Sequence, residues 1–104
     1  MSVYILLSKL TTEGRKTIKE RPSRMREVRA EYESLGVKVL EQYATLGPYD
    51  FVSVIEAPDN ETVSEVSVDL CSRGTIEIMT LAAIPVNSYV SALKSAKIPE
   101  NRDS

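Results

Sequence analysis

The stretch Thr45-Leu46-Gly47-Pro48-Tyr49-Asp50-Phe51-Val52 constrains the fold of this chain more than any other segment. A Gly-Pro pair separates two runs rich in β-forming residues. Gly47 can take backbone angles that other residues avoid, and Pro48 has φ preset for the second position of a turn. The flanking runs, Lys38 to Thr45 and Tyr49 to Glu56, therefore predict a tight antiparallel hairpin. Tyr49 and Asp50 are expected at its mouth, where a phenol and a carboxylate can face a cleft. The feature points to an architecture and names no reaction.

The remaining segments fall around this hairpin. Val3 to Leu10 is rich in β-formers and has the length of a strand. Thr11 and Thr12 can cap a helix, with Glu13 near its positive end. That helix carries Ile18 and is expected to stop or kink around Arg21-Pro22. From Ser23 to Leu35 the apolar residues Met25, Val28, Tyr32 and Leu35 form one helical stripe, and Gly36 lies just past its end. Ala57-Pro58-Asp59-Asn60 ends the second hairpin strand and offers a cap for a helix from Glu61 to Ser72. Val63, Val66 and Leu70 make its stripe, with Val68 opposite and Gly74 as the stop. Thr75 to Ile84 is the last strand, closed by Pro85. Residues 1–86 thus form one domain. Residues 87–104 are expected to add a short helix, Asn87 to Lys97, and a polar tail from Ile98 to Ser104.

The order β-α-β-β-α-β with right-handed crossovers gives an α+β, ferredoxin-like fold: a four-stranded antiparallel sheet with two helices on one face. A strand with one face in water alternates apolar and polar residues. These strands largely do not. Val3, Ile5 and Leu7 oppose Tyr4, Leu6 and Leu10; Phe51 and Ile55 oppose Val52 and Val54; Ile76, Ile78 and Ile84 oppose Met79, Leu81 and Ala83. Both faces call for burial, and one chain has helices for only one. A second copy packed on the open face answers that need, so a homo-oligomer is expected. The alternatives are an irregular sheet or a C-terminal segment folded back over it.

Composition narrows the chemistry. Lys plus Arg is 13 and Asp plus Glu 15, a net charge of −2, which argues against a general nucleic-acid binder. No apolar run is long enough to span a membrane. The N-terminal residues Met1 to Ile5 enter a strand at once, with no signal-peptide pattern. Cys71 has no partner for an internal disulfide and fits a reducing cytoplasm. The chain has no His, which removes Ser-His-Asp and Cys-His catalysis and the usual zinc sites. No glycine-rich nucleotide loop is present. No cofactor or metal is expected.

Candidate ligand-binding residues are few. Tyr43, Tyr49 and Asp50 are expected near one end of the sheet, where an Asp of raised pKa could act as a base. The commoner role for such an Asp is to accept hydrogen bonds from turn amides, with Tyr49 packed over the hairpin. Ser8 and Lys9 end the first strand beside a helix start, where a Lys can meet an anion; a surface Lys is the plainer reading. Thr45 and Thr80 complete the polar set expected inside a barrel. The basic run Arg15, Lys16, Lys19, Arg21, Arg24, Arg26 and Arg29, opposed by Glu20 and Glu27, is spread around its helix and is expected to be a solvated face. Cys71, beside Leu70, is expected to be a small buried hydrophobe rather than a nucleophile.

Several of these segments, taken together, resemble the GYD-domain family, small bacterial and archaeal proteins of largely unassigned function. They are Tyr4-Ile5-Leu6-Leu7-Ser8-Lys9, Thr12-Glu13-Gly14 with Ile18-Lys19, Leu35-Gly36-Val37-Lys38-Val39, Tyr43-Ala44-Thr45-Leu46-Gly47-Pro48-Tyr49-Asp50, Val54-Ile55-Glu56-Ala57-Pro58-Asp59 and Thr80-Leu81. The chain departs from that pattern with alanines at Ala44 and Ala82, Met79 in place of an acidic residue and Ile84 in place of an aromatic. The resemblance implies a dimeric α+β barrel-like fold and brings no established activity. A small oligomeric module with a small-molecule cleft between sheets is the leading reading. A cofactor-independent isomerase or oxygenase follows by analogy of fold, and a protein- or nucleic-acid-binding module using residues 15–29 comes third.

Overall fold

A computed structural model describes residues 1–96; Lys97, placed by the sequence at the end of the last helix, and the tail from Ile98 to Ser104 lie outside the described residues. The elements are β1 (Ser2–Leu10), α1 (Thr12–Glu20), α2 (Arg24–Ser34), β2 (Lys38–Ala44), β3 (Phe51–Ala57), α3 (Asn60–Cys71), β4 (Ile76–Ala83) and α4 (Val86–Ser95). The strands form one antiparallel sheet in the order β2-β3-β1-β4. This is the α+β, ferredoxin-like arrangement expected, with the first crossover divided into α1 and α2 at Arg21-Pro22.

Local chemistry sets the helix ends. Thr11 caps α1: its Oγ1 accepts from the Gly14 amide at 3.2 Å and donates to the Gly74 carbonyl at 2.7 Å. The Thr11 amide also donates to the Thr75 carbonyl at 3.1 Å, so the start of α1 is tied to the approach to β4. Gly36, at φ 85°, ends α2 in a paired motif: the Gly36 amide donates to Glu33 O at 3.1 Å and the Val37 amide to Tyr32 O at 3.0 Å. Asp59 caps α3, its Oδ1 accepting from the Thr62 amide at 2.8 Å and the Thr62 hydroxyl at 2.7 Å.

The core lies between the helices and one face of the sheet. Tyr4, Leu6, Val39 and Ile55 project from the strands against Tyr32, Val37, Val63, Val66 and Leu70. Val68 is 68% exposed, on the outer face of α3 as its spacing predicts. The Tyr4 hydroxyl reaches the edge of this layer and donates to Asn60 Oδ1 at 2.5 Å.

The hairpin differs from its expected form. β2 and β3 do pair, Ala44 opposite Phe51, but residues 45–50 form a connection rather than a tight turn. Tyr49 and Asp50 therefore lie in that connection and not on a strand. The Thr45 amide still donates to Asp50 O at 2.8 Å, one backbone bond past the Ala44–Phe51 pair, and Thr45 Oγ1 donates to Tyr49 O at 2.7 Å, so a side-chain bond joins the pairing before the turn closes. Gly47, at φ 117°, supplies the left-handed residue that the reversal needs. A bulge at Leu40 also interrupts the β2–β3 ladder, between the pairs Val39–Ile55 and Glu41–Val54.

Gly14 lets α1 pass close against the backbone just before β4. A Cβ there would stand 2.0 Å from the Thr75 carbonyl oxygen, and backbone cannot yield as a side chain can. Gly14→Ala is therefore expected to cost about 1–3 kcal/mol of stability, measured by urea unfolding. Gly36→Ala, strained at its positive φ but with open space around it, gives the comparison.

Candidate functional site

Side chains alternate across a strand, so pairing fixes which residues share a face. On the helix-free face the strands align Tyr43, Val52, Leu7 and Met79 in one row. A second row holds Glu41, Val54, Ile5 and Leu81, and a third Lys38, Glu56, Val3 and Ala83. Apolar side chains thus occupy the middle of this face, with charges along its margins. Met79 is 51% and Leu81 42% exposed, and Val3, Ile5, Leu7, Val52 and Val54 are half-buried by their neighbours alone. No element of the described chain lies over them. Every residue of α4 is exposed, so the C-terminal helix does not fold back as a cover.

The polar residues singled out in the sequence divide among three places. Lys9 stands on the open face opposite Glu77, and with Leu7, Pro48, Tyr49 and Met79 it lines a groove of about 340 Å³. Tyr49 crosses that groove to donate to the Met79 sulfur at 3.5 Å. Tyr43 lies on the same face at the β2 edge, donating to the Glu41 carboxylate, and that hydrogen bond raises its pKa above the ordinary phenol value. Ser8 and Thr80 are on the other side of the sheet. Ser8 is buried, while Thr80 lies in a separate groove with Tyr4, Asn60, Ser64 and Ser67. Thr45 and Asp50 belong to the connection between β2 and β3. The structure brings Lys9 and Tyr49 together and does not gather the full set into one cleft.

Asp50 has a structural task. Its Oδ2 accepts from the Leu10 amide at 2.8 Å, and its own amide donates to Ser8 O at 2.8 Å. The carboxylate therefore extends the pairing of β1 beyond Phe51 and holds the loop against the end of that strand. The sequence suggested amides of the turn itself as partners. The partner actually used is 40 residues away in the chain.

Much of the basic run is occupied locally. Arg21 pairs with Glu27 at 3.5 Å, Arg29 donates to Val39 O at 3.3 Å, and Lys16 approaches Glu13 at 3.8 Å. Glu31 accepts Arg24 of its own helix at 2.7 Å and Arg73, just past α3, at 2.5 Å, while Arg73 also holds Asp69 of α3 at 3.0 Å. Partial burial works against ionisation of Glu31, but the hydrogen bonds and charges of both arginines outweigh it and lower its pKa below 4.5. Cys71 is half-buried and free. Among the described residues, no cluster of acidic and cysteine side chains could hold a metal ion, and no helix is long and apolar enough to cross a membrane.

The fold and its one uncovered face define a small ferredoxin-like protein with an unpartnered sheet. The sequence matches the GYD domain over residues 4–93, and the chain belongs to the GYD-domain family. It is 48% identical over 95 residues to the glutamine synthetase and cystathionine beta-lyase binding protein of Thermus thermophilus, an alignment covering 90% of this chain and 100% of that relative.

Two outcomes follow from the bonding. Asp50→Ala strands the Leu10 amide and is expected to cost on the order of 1–2 kcal/mol in urea unfolding. Asp50→Asn, which keeps an acceptor oxygen, is expected to cost less; equal stability of Ala and wild type would remove the structural role. Glu31 has a lowered folded pKa, so its stabilisation is present above the ordinary value of 4.5 and is lost as pH falls through the folded one. Thermal melts of wild type below pH 4.5 are expected to fall more steeply than those of Glu31→Gln.

Proposed function

We propose that this protein is a homo-oligomeric binding module of the cytoplasm, whose copies cover one another's helix-free faces and whose assembly docks on a metabolic enzyme. The observation that carries the oligomer is the run of apolar rows across a face that nothing in the described chain covers. A patch of this kind on a small protein marks an interface. The docking role rests on the Thermus thermophilus relative, whose name states that it binds glutamine synthetase and cystathionine beta-lyase. Those two enzymes are the first partners to test. The free Cys71 thiol suits a reducing compartment.

Facing sheets would also close the groove beside Lys9 and Tyr49, giving a small polar-rimmed cleft between subunits. Lys9 would offer a cation, and the Tyr49 hydroxyl a donor now resting on the Met79 sulfur. This is the place for a small-molecule ligand, with Tyr43 and Thr45 farther along the same end of the sheet. Ser8 and Thr80 would stay outside it, on the helix side.

Ile5 sits in the middle of the open face, between Val54 and Leu81. In light scattering at micromolar concentration the wild type is expected to run as an oligomer of the 11.6 kDa chain and Ile5→Glu as a folded monomer. A wild-type monomer would end the oligomer reading. Calorimetric titration into purified glutamine synthetase and cystathionine beta-lyase from the same organism is expected to give saturable binding to at least one. Heat from neither would end the docking reading and leave the oligomer intact.

A further inference from the structure

Helix α4 combines an apolar stripe with the absence of any packing. Val86, Tyr89, Val90 and Leu93 follow i, i+3, i+4, i+7, and they are 73, 51, 39 and 54% exposed. Asn87, Ser88, Ser91 and Ser95 occupy the opposite side, and Lys94 at the last turn is the helix's one charge. Such a stripe has the pattern of a helix seated on a surface, yet none of its residues is buried. The helix also has little reason to form alone. It is 10 residues long, holds two valines and three serines, and no side chain caps its start. Isolated helices of that length are marginal in water even when built from alanine. Its order therefore calls for a surface that its own chain does not supply.

The geometry of the link says where that surface is. Only Ile84 and Pro85 separate α4 from β4, and Pro85 is extended at φ −53°, ψ 137°. Every residue of α4 is exposed, so after this short link the helix runs off its own sheet rather than back across it. The open face and the helix are close along the chain: Ala83, at the end of the Met79–Leu81–Ala83 row of β4, stands three residues before Val86, with Ile84 between them 64% exposed. Any body that covers the sheet face meets the helix as well. The family match runs through Leu93, the last residue of the stripe, so the helix lies within the shared domain.

We propose that α4 is an exchanged arm: its Val86–Tyr89–Val90–Leu93 stripe packs on a second copy of this chain, at the margin of that copy's helix-free face. The inference rests on the covered-face reading above and adds the segment that clamps it. Twofold symmetry makes the exchange reciprocal, each copy lending its arm to the other. Both surfaces suit such a contact, because apolar side chains fill their centres and charges keep to their edges. Lys94, at the border of the stripe, can extend past it to solvent.

The test uses the full chain and three variants that change exposed or sheet-face positions. Sedimentation equilibrium is expected to show the dissociation constant of the oligomer raised about tenfold or more by Leu93→Glu. Ser91→Glu, on the polar side of α4, is expected to leave it unchanged. Folding is not at stake for either, since α4 buries nothing in its own subunit. Hydrogen exchange is expected to be slow for the α4 amides of the assembled wild type and fast in the Ile5→Glu monomer. Normal assembly of Leu93→Glu alongside dissociation of Ile5→Glu would overturn the arm and spare the covered face. Loss of glutamine synthetase binding by Leu93→Glu with assembly intact would assign the stripe to the enzyme and overturn the proposal as well. Equal effects of Ser91→Glu and Leu93→Glu, or fast exchange of α4 in the assembled protein, would also overturn it. A monomeric wild type would remove the covered face and the arm together.

Discussion

The structure depends on one mismatch: a sheet apolar on both faces, in a chain whose packed helices cover a single face. Antiparallel pairing forces the choice, because each strand must divide its side chains between two sides. Tyr4, Leu6, Val39 and Ile55 go inward, and Val3, Ile5, Leu7, Val52 and Val54 go outward with them. Exchanging the two sets would shift every register by one residue and leave the mismatch in place. Nothing among the described residues buries that second face. That face is nearly free of charge except at its margins, where Lys9, Lys38, Glu41, Glu56 and Glu77 stand.

The two sides of the sheet are held by different forces. On the helix side the ends are fastened by specific polar bonds. Thr11 grips Gly74 and Thr75, Asp59 caps α3, and the Arg24–Glu31–Arg73 cluster joins α2 to the end of α3. Asp50 anchors the connection between β2 and β3 to the end of β1. These contacts fix the subunit and engage Arg24 and Arg73 within it. The open side has almost no such fastening, only apolar rows and a helix in solvent. A subunit closed on one side and unfinished on the other is well suited to association. The Thermus thermophilus relative, named for the two enzymes it binds, belongs to the same family.

Element order, both apolar faces and the stripes on α2 and α3 were legible in the sequence, because they follow from periods of two and 3.6 within one segment. The division of Ser8 from Lys9, and of Thr80 from Met79, was equally available, since neighbours on a strand point to opposite faces. Pooling those residues into one cleft overlooked that rule. Other features depend on where distant segments meet. Nothing near Asp50 announces Leu10 as its partner, and nothing near Gly14 announces the Thr75 carbonyl. The length of the 45–50 connection was missed for a related reason. The bonds of Thr45 to Tyr49 and Asp50 join the pairing before the Gly-Pro reversal. In α4 the sequence predicted a helix, and its stripe of Val86, Tyr89, Val90 and Leu93 went unread.

Peroxide oxidation of Met79 in the unmodified protein tests the covered face most directly. Its thioether lies in the row Tyr43–Val52–Leu7–Met79 and is half exposed in the isolated subunit. Conversion to the sulfoxide requires access to the sulfur. If copies cover one another's sheets, Met79 is expected to oxidise far more slowly in the native protein than in the urea-unfolded chain. The difference is expected to shrink on dilution toward the monomer. A native rate close to that of the unfolded chain at every concentration would contradict the account, because it would leave the apolar face open to water.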